Sequence, residues 1–219
     1  MSTNEAIEDR GHADRALRDR FGWTPYRLLG GAALAACGIV LLCDVVMWFL
    51  VEGYSPFGQT ISELAAGPHH AVQDGGIVVF CLGILALTAG LVLRGESTKL
   101  SWAVRGAFVL LAVDVALIAL WNEYGDGQPG GVEIHRYCVG VLYVLVAFLL
   151  WFGTSVPPAR GRGLGKVGKA AAVVWIVAAP LFYVVPDSVD GAYERLLAII
   201  MVGAVAIAAW QLFKRPEEG

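Results

Sequence analysis

Six apolar segments constrain this sequence more than any other feature. A run of about 20 apolar residues crosses the roughly 30 Å hydrocarbon core of a bilayer as an α-helix. Hydrophobic residues make up 57% of the chain and charged residues only 16%, whereas soluble domains carry about 25% charge. The composition excludes an ordinary soluble enzyme, a disulfide-stapled secreted module and a nucleic-acid-binding protein. The segments are Leu28–Val51, Gly75–Leu93, Trp102–Trp121, Tyr137–Gly153, Ala170–Val185 and Ala192–Phe213.

The distribution of Lys and Arg predicts the orientation. Of the 16 basic residues, 14 fall near the two termini or in the connections after the second and fourth segments, and only Arg136 and Arg195 lie on the opposite side. Because basic connections stay in the cytoplasm, both termini are predicted to be cytoplasmic, and we name the opposite side the outer end. The expected fold is all-α: a polytopic six-transmembrane-helix bundle of the cell (plasma) membrane. Its predicted parts are a polar N-terminal tail over 1–26, the transmembrane domain over 27–213 and a C-terminal tail over 214–219.

Two aspartates lie inside apolar segments, where a carboxyl is costly. Asp44 and Asp114 each precede the outer end of their segment by seven residues, so they lie at similar depth. An Asp at the centre of a spanning helix costs about 2.5–3.5 kcal/mol and normally faces the bundle interior, where it marks a function. The alternative is a single helix–helix hydrogen bond. Two buried carboxyls that interact can share a proton, which makes both residues candidate general acids.

The outer connections supply further acidic candidates. In YSPFGQTISELAAGPHH, Ser55-Pro56 is predicted to open a short helix that carries Glu63 and is closed by Gly67-Pro68. Glu63 then points either into the mouth of the bundle or onto its surface. The second connection is a Gly- and Pro-rich loop that carries Glu123. Glu63, Glu123 and Glu194 are the predicted residues that orient the acid or take up a proton.

The start of the sixth segment and the aromatic residues complete the predicted site. Glu194 and Arg195 lie at this start, and Arg195 is expected to pair with Glu63, Glu123 or Glu194. Aromatic π faces can stabilise a cation. No metal site is predicted, since His69-His70 has no evident third ligand, and no cofactor is expected. The predicted substrate-binding residues are Trp48, Tyr54, Trp121, Tyr137, Tyr183, His135 and Arg195.

Three stretches together resemble a bacterial and archaeal membrane family known as domain of unknown function 998. They are SPFGQTISELAAG after the first segment, His135 at the start of the fourth, and YERLLAI at the start of the sixth. The resemblance covers roughly 27–213 and implies a six-helix bundle with a shared outer site, but no activity. Asp44, Asp114 and the long acidic second connection depart from the family pattern, which indicates a specialised member. The residues that the resemblance carries over are Ser55, Thr60, Ser62, Glu63, His135, Glu194 and Arg195.

The size, acids and aromatic residues are also similar to those of small membrane-embedded terpene cyclases, although no shared motif supports this likeness. The sequence therefore predicts acid–base chemistry on a lipophilic, isoprenoid-type substrate, such as proton-initiated cyclisation. The alternatives are a small proton-coupled transporter and a non-catalytic assembly or sensing protein. The expected partners are a lipophilic substrate in the bilayer and membrane lipids, with no nucleic acid and with a homo-oligomer left open.

Overall fold

A computed structural model describes residues 24–95, 97–121, 131–156 and 164–214, without the side chains of 131–133. Within these ranges the chain forms seven α-helices and no strand. Single turns of 3₁₀-helix, Gly153–Ser155 and Phe182–Val184, follow the fifth and sixth helices. The helices are α1 Pro25–Leu50, α2 Ile61–Ala66, α3 His70–Leu93, α4 Lys99–Leu120, α5 Gly131–Phe152, α6 Leu164–Leu181 and α7 Asp190–Lys214.

Six of these helices, all except α2, are long and apolar enough to cross a membrane. The predicted all-α fold with six spans is therefore confirmed. The helices extend beyond the apolar segments where their first turns are polar, as in α3, which begins at His70 rather than at Gly75. The orientation and the limits of the two tails stay predictions.

The long helices form a ring that α7 closes on one side only. α1 packs most extensively against α3 and next against α7, and the neighbours α3–α4, α4–α5 and α5–α6 also pack along their lengths. By contrast, α7 makes only sparse contacts with α5 and α6. A seam consequently runs between α7 and the α5–α6 pair.

Small residues allow the tightest helix pair to approach closely. A Cβ atom added to Gly83 of α3 would lie 2.4 Å from the Cβ atom of Ala36 on α1, a distance that real Cβ contacts do not reach. Close packing through small residues is a common basis of helix association in membranes. The α1–α3 pair is therefore the most closely packed part of the ring.

Candidate functional site

An ion pair between Asp44 of α1 and Arg195 of α7 lies at the outer end of the bundle. Nε of Arg195 donates to Oδ2 of Asp44 at 3.0 Å, and Nη2 donates to Oδ1 at 2.9 Å. The two residues are only 9% and 8% exposed. Bidentate arginine–carboxylate pairs are among the strongest hydrogen-bonded contacts in proteins. Within the described residues this ion pair corrects the prediction that Arg195 pairs with an outer glutamate.

The rest of the Arg195 guanidinium fastens the outer connection to α7. Nη2 also donates to the hydroxyl of Tyr54. An arginine has five N–H donors. The hydrogen bonds of Nε and Nη2, together with those of Nη1 described next, engage all five donors of Arg195. Nη1 donates to the carbonyl oxygens of Pro56 at 3.0 Å, Gln59 at 2.8 Å and Gly191 at 3.0 Å.

Tyr54 supports the same guanidinium from the connection between α1 and α2. Its hydroxyl donates to the carbonyl oxygen of Gln59 at 2.8 Å, and its ring centroid lies 5.5 Å from the guanidinium carbon of Arg195. Burial raises the pKa of Tyr54 to about 12, although the positive charge of Arg195 acts in the opposite direction. Tyr54 therefore keeps its proton, and its hydrogen bond to Gln59, over the whole physiological pH range.

The outer connection also touches the backbone of α7 directly. The N–H of Ala192 donates to the carbonyl oxygen of Phe57 at 3.0 Å. A Cβ atom added to Gly191 would lie 2.1 Å from the carbonyl oxygen of Gln59, so only glycine fits there without a backbone shift. We call residues 54–60 and 190–195, joined through Arg195, the clamp.

Two of the predicted catalytic glutamates serve as caps of α2. Glu63 forms a capping box with Thr60: the N–H of Thr60 donates to Oε2 of Glu63 at 2.8 Å, and the N–H of Glu63 donates to Oγ1 of Thr60 at 3.1 Å. Glu194 reaches over from α7 and accepts from the N–H of Ile61 and, at 3.3 Å, from Oγ of Ser62. The helix predicted to open at Ser55-Pro56 therefore begins at Ile61 instead.

Asp114 lies in different surroundings from Asp44. It is 6% exposed, and its carboxyl is hydrogen-bonded to the thiol of Cys138 on α5. Its Oδ2 atom has no hydrogen-bond partner among the described residues. The cysteine, which the sequence presents as a small buried apolar residue, thus partners an intramembrane carboxyl.

A cavity of about 840 Å³ opens between α1 and α7 on one side and α3 to α6 on the other. Its walls are mostly apolar, and its polar groups gather toward the outer end. The Asp44–Arg195 pair and Glu194 lie in this polar part, while Phe80 and Val202, further along their helices from the outer end, line the deeper part. The aromatic lining includes Trp48, Phe57, Tyr143, Trp175, Phe182 and Tyr183.

The cavity contains some of the predicted site residues and excludes others. Among the predicted acids, Asp44 and Glu194 line it, whereas Glu63 and Asp114 do not; Glu123 lies outside the described residues. Tyr137 is 76% exposed on the outside of the bundle. Trp121 ends α4, and its carbonyl oxygen lies 2.9 Å from Nδ1 of His135. Of the predicted substrate-binding residues, Trp48, Tyr183, His135 and Arg195 line the cavity, and Tyr54, Trp121 and Tyr137 do not.

Sequence reasoning missed two lining residues, Gln73 and Trp175. Gln73 lies in the first turn of α3 and is 2% exposed; it was missed because the apolar segment was started at Gly75. Trp175 of α6 is 1% exposed, and its Nε1 donates to the carbonyl oxygen of Tyr143 at 2.9 Å. The signal for Gln73 is its place within one helical turn before the apolar run, since a helix that spans a membrane can begin with a polar turn.

Metal binding has no support in the part of the chain that the structure describes. Within it, no group of three or more His, Cys, Asp or Glu side chains is placed to hold a metal ion. His70 instead lies 2.9 Å from the carboxylate of Asp74 one turn further along α3.

The family model described as "Protein of unknown function (DUF998)" matches residues 34–211. The chain belongs to this family. The match extends from α1 to α7 and therefore contains the ion pair, the clamp and the cavity, and it confirms the family predicted from the sequence. No curated protein and no solved structure matches the chain. The family description assigns no activity, so the function is argued from the site itself.

Proposed function

We propose that this membrane protein binds one amphiphilic, lipid-like molecule in the outer half of its helix bundle. The observation that carries the proposal is the 840 Å³ cavity, which is apolar in its depth and polar at one end. Binding sites for small molecules usually measure about 300–1,000 Å³. If each non-hydrogen atom takes roughly the 30 Å³ of a water molecule, the cavity holds about 28 such atoms. A C20 isoprenoid chain with a small polar end, about 21 non-hydrogen atoms, fits within this volume.

The seam beside α7 provides a route from the bilayer into this cavity. Leu196 and Ile199 of α7 line the cavity and are 50% and 55% exposed on the outside of the bundle. Tyr183, next to α6, also lines it and is 56% exposed. An apolar molecule dissolved in hydrocarbon would pass between these side chains without crossing water.

Acid–base chemistry on the bound molecule, including proton-initiated cyclisation, is the second candidate function. Glu194 and His135 favour it, because both are titratable and both line the cavity. Asp44 is less suited to this role, because both of its carboxylate oxygens already accept hydrogen bonds from Arg195. Asp114 lies outside the lining. Glu194 and His135 are therefore the groups that we would assign to catalysis.

Photolabelling of the full chain in lipid nanodiscs tests the binding function. A C20 isoprenoid with a photoreactive diazirine in its chain is expected to label cavity residues, and excess unlabelled compound should compete. Val139→Trp places a large ring in the cavity wall and should reduce labelling at least about tenfold. Val144→Trp is the matched control, because Val144 lies on the same helix, is 70% exposed and is absent from the lining.

Two outcomes decide between the candidates. Labelling that spreads over the lipid-facing surface and ignores Val139→Trp would overturn the binding proposal. Mass spectrometry of lipophilic extracts tests catalysis: a product of unchanged mass and altered retention, made by the wild type and lost in a folded Glu194→Gln variant, would support cyclisation. If binding occurs and no product forms across a panel of prenyl chains and their epoxides, cyclisation is rejected and binding stands.

A further inference from the structure

The buried charged groups that line the cavity already have partners, and the other two, Arg136 and Asp187, are exposed to solvent. Asp44 and Arg195 neutralise each other, and every N–H of Arg195 is engaged. Glu194 accepts from Ile61 and Ser62. Asp190 accepts from the N–H of Gly191 at 2.6 Å, while Asp187 is exposed to solvent at the rim, where its charge is screened. A charged end group would find no buried counter-charge here that is not already used.

Two uncharged atoms of the lining lack hydrogen bonds. Oε1 of Gln73, an acceptor, and Nε1 of Trp48, a donor, are both buried and have no partner within the described residues. Leaving a buried polar atom unpaired costs about 1–3 kcal/mol, and native proteins contain few such atoms. Both residues line the cavity. Both atoms are covered by neighbouring atoms, so a ligand pairs with them only when the Gln73 amide and the Trp48 ring rotate toward the cavity, and it then recovers this cost.

Trp48 and Gln73 lie at similar distances from the outer end of the bundle. Trp48 lies two residues before the end of α1, and Gln73 lies three residues after the start of α3. α1 and α3 are the most extensively packed helices in the bundle. The orphan donor and acceptor thus belong to adjacent helix ends at the polar end of the cavity.

We propose that the ligand is an uncharged isoprenoid-type or long-chain alcohol, whose hydroxyl donates to Oε1 of Gln73 and accepts from Nε1 of Trp48. A hydroxyl is a small group that both donates and accepts, whereas a carboxylate only accepts and an ammonium only donates. This inference rests on the proposed binding function and adds the chemical class of the ligand.

Competition between four matched compounds tests the inference. In the nanodisc photolabelling assay, a C20 isoprenoid hydrocarbon, its alcohol, its carboxylic acid and its amine compete with the diazirine probe. The ratio of alcohol to hydrocarbon potency is compared between variants, since membrane partitioning cancels in that comparison. Hydrogen bonds in membrane proteins contribute about 0.6 kcal/mol on average, so Gln73→Leu and Trp48→Phe should each lower the ratio about threefold.

A matched control excludes a general effect of removing a buried polar group. Thr88 lies on the same helix as Gln73 and is 8% exposed, and its hydroxyl donates to the carbonyl oxygen of Ile84 at 2.9 Å. Thr88 is not part of the lining. Thr88→Val should therefore leave the ratio unchanged.

Each result supports or overturns one of the two proposals. Threefold losses in both variants, with Thr88→Val unchanged, support recognition of an alcohol. If the ratio ignores both variants, or if the acid or amine competes best, while Val139→Trp still blocks labelling, the alcohol assignment fails and the binding site stands. If none of the four compounds competes, the binding proposal fails together with the inference.

Discussion

The two aspartates inside the apolar spans are equivalent by sequence position but have different surroundings in the structure. Asp44 and Asp114 each lie six residues before the end of their helix. Asp44 is bound on both oxygens by Arg195 of α7, whereas among the described residues Asp114 is hydrogen-bonded to the thiol of Cys138 on the neighbouring helix. Asp44 lines the cavity and Asp114 does not. Depth in the membrane therefore does not determine the role of a carboxyl; the partner presented by the facing helix does.

This difference bears on how the cavity remains apolar at its depth. The Asp44–Arg195 pair brings no net charge into the wall, and its hydrogen bonds attach the outer connection to α7. The ion pair thus fastens α7 to α1 at the outer end of the bundle, whereas α7 makes few contacts with α5 and α6. Among the described residues, Asp114 makes no comparable contact with an outer connection.

The largest effect that separates the two aspartates is expected from Asp44→Asn. Removing one partner of a buried ion pair leaves the other charge uncompensated and costs about 3–5 kcal/mol. Thermal or denaturant unfolding of the detergent-solubilised protein measures this loss. The double variant Asp44→Leu with Arg195→Met leaves no unpaired charge but also removes the hydrogen bonds of Arg195 to the outer connection, so it should recover only part of the stability. A stability for Asp44→Asn within about 1 kcal/mol of the wild type would show that the pair does not hold the clamp.

A backbone contact of the same clamp gives the next largest effect. Gly191→Ala forces a Cβ atom into the carbonyl of Gln59, and overpacking of this kind costs about 1–3 kcal/mol. Gly203→Ala is the control on the same helix, because a Cβ atom there meets nothing within 4 Å and alanine favours helix formation. Unfolding midpoints should fall for the first variant and stay level or rise for the second; equal midpoints would contradict the close approach.

The sequence predicted the spans well because hydropathy is a local property. Each apolar segment corresponds to a long helix, and the errors lie at polar first turns, as with His70 and Gln73. The capping box of α2 was also readable, since Thr60 and Glu63 have the T-x-x-E spacing of a helix start. Ser55-Pro56 is an equally common helix start and lies earlier in the chain, but in the structure these two residues precede α2 and lie in a turn.

The sequence could not predict which side chains pair with each other in the site. Asp44 and Arg195 are 151 residues apart, and nothing local indicates that α1 and α7 are neighbours in the ring. The same holds for Glu194, which lies near the start of its own helix but whose carboxylate caps a different helix, α2. Pairing of this kind depends on how the helices are arranged, which hydropathy and spacing do not encode.

Asp114→Asn is expected to have a much smaller effect than Asp44→Asn. The amide keeps the shape of the side chain and an oxygen that accepts from the thiol of Cys138, and no ion pair is broken. Stability should change by no more than about 1 kcal/mol, the typical net value of one hydrogen bond, and photolabelling of the cavity should persist. A loss as large as that of Asp44→Asn, or abolished labelling, would make the two aspartates equivalent after all.

The smallest effect concerns the pH dependence of the clamp through Tyr54. The pKa of Tyr54 is raised by burial to about 12, above the ordinary value of about 10 for an unfolded chain. Its contribution to stability is therefore complete below about pH 10 and is lost as the pH rises through about 12. Tyr54→Phe cannot ionise at this position, so its unfolding midpoint should fall less between pH 9 and pH 11.5 than that of the wild type.

The matched control for this comparison is Tyr137→Phe, at the largely exposed tyrosine outside the cavity. It removes one phenol without touching Arg195 or the outer connection, so its alkaline profile should follow the wild type. The difference between the alkaline stability profiles of Tyr54→Phe and Tyr137→Phe then gives the part of the stability loss that comes from the Tyr54 hydroxyl in the clamp. Identical profiles would mean that the Tyr54 hydroxyl adds nothing to the clamp, and that the Asp44 side of the bundle is held by the ion pair and the backbone contacts alone.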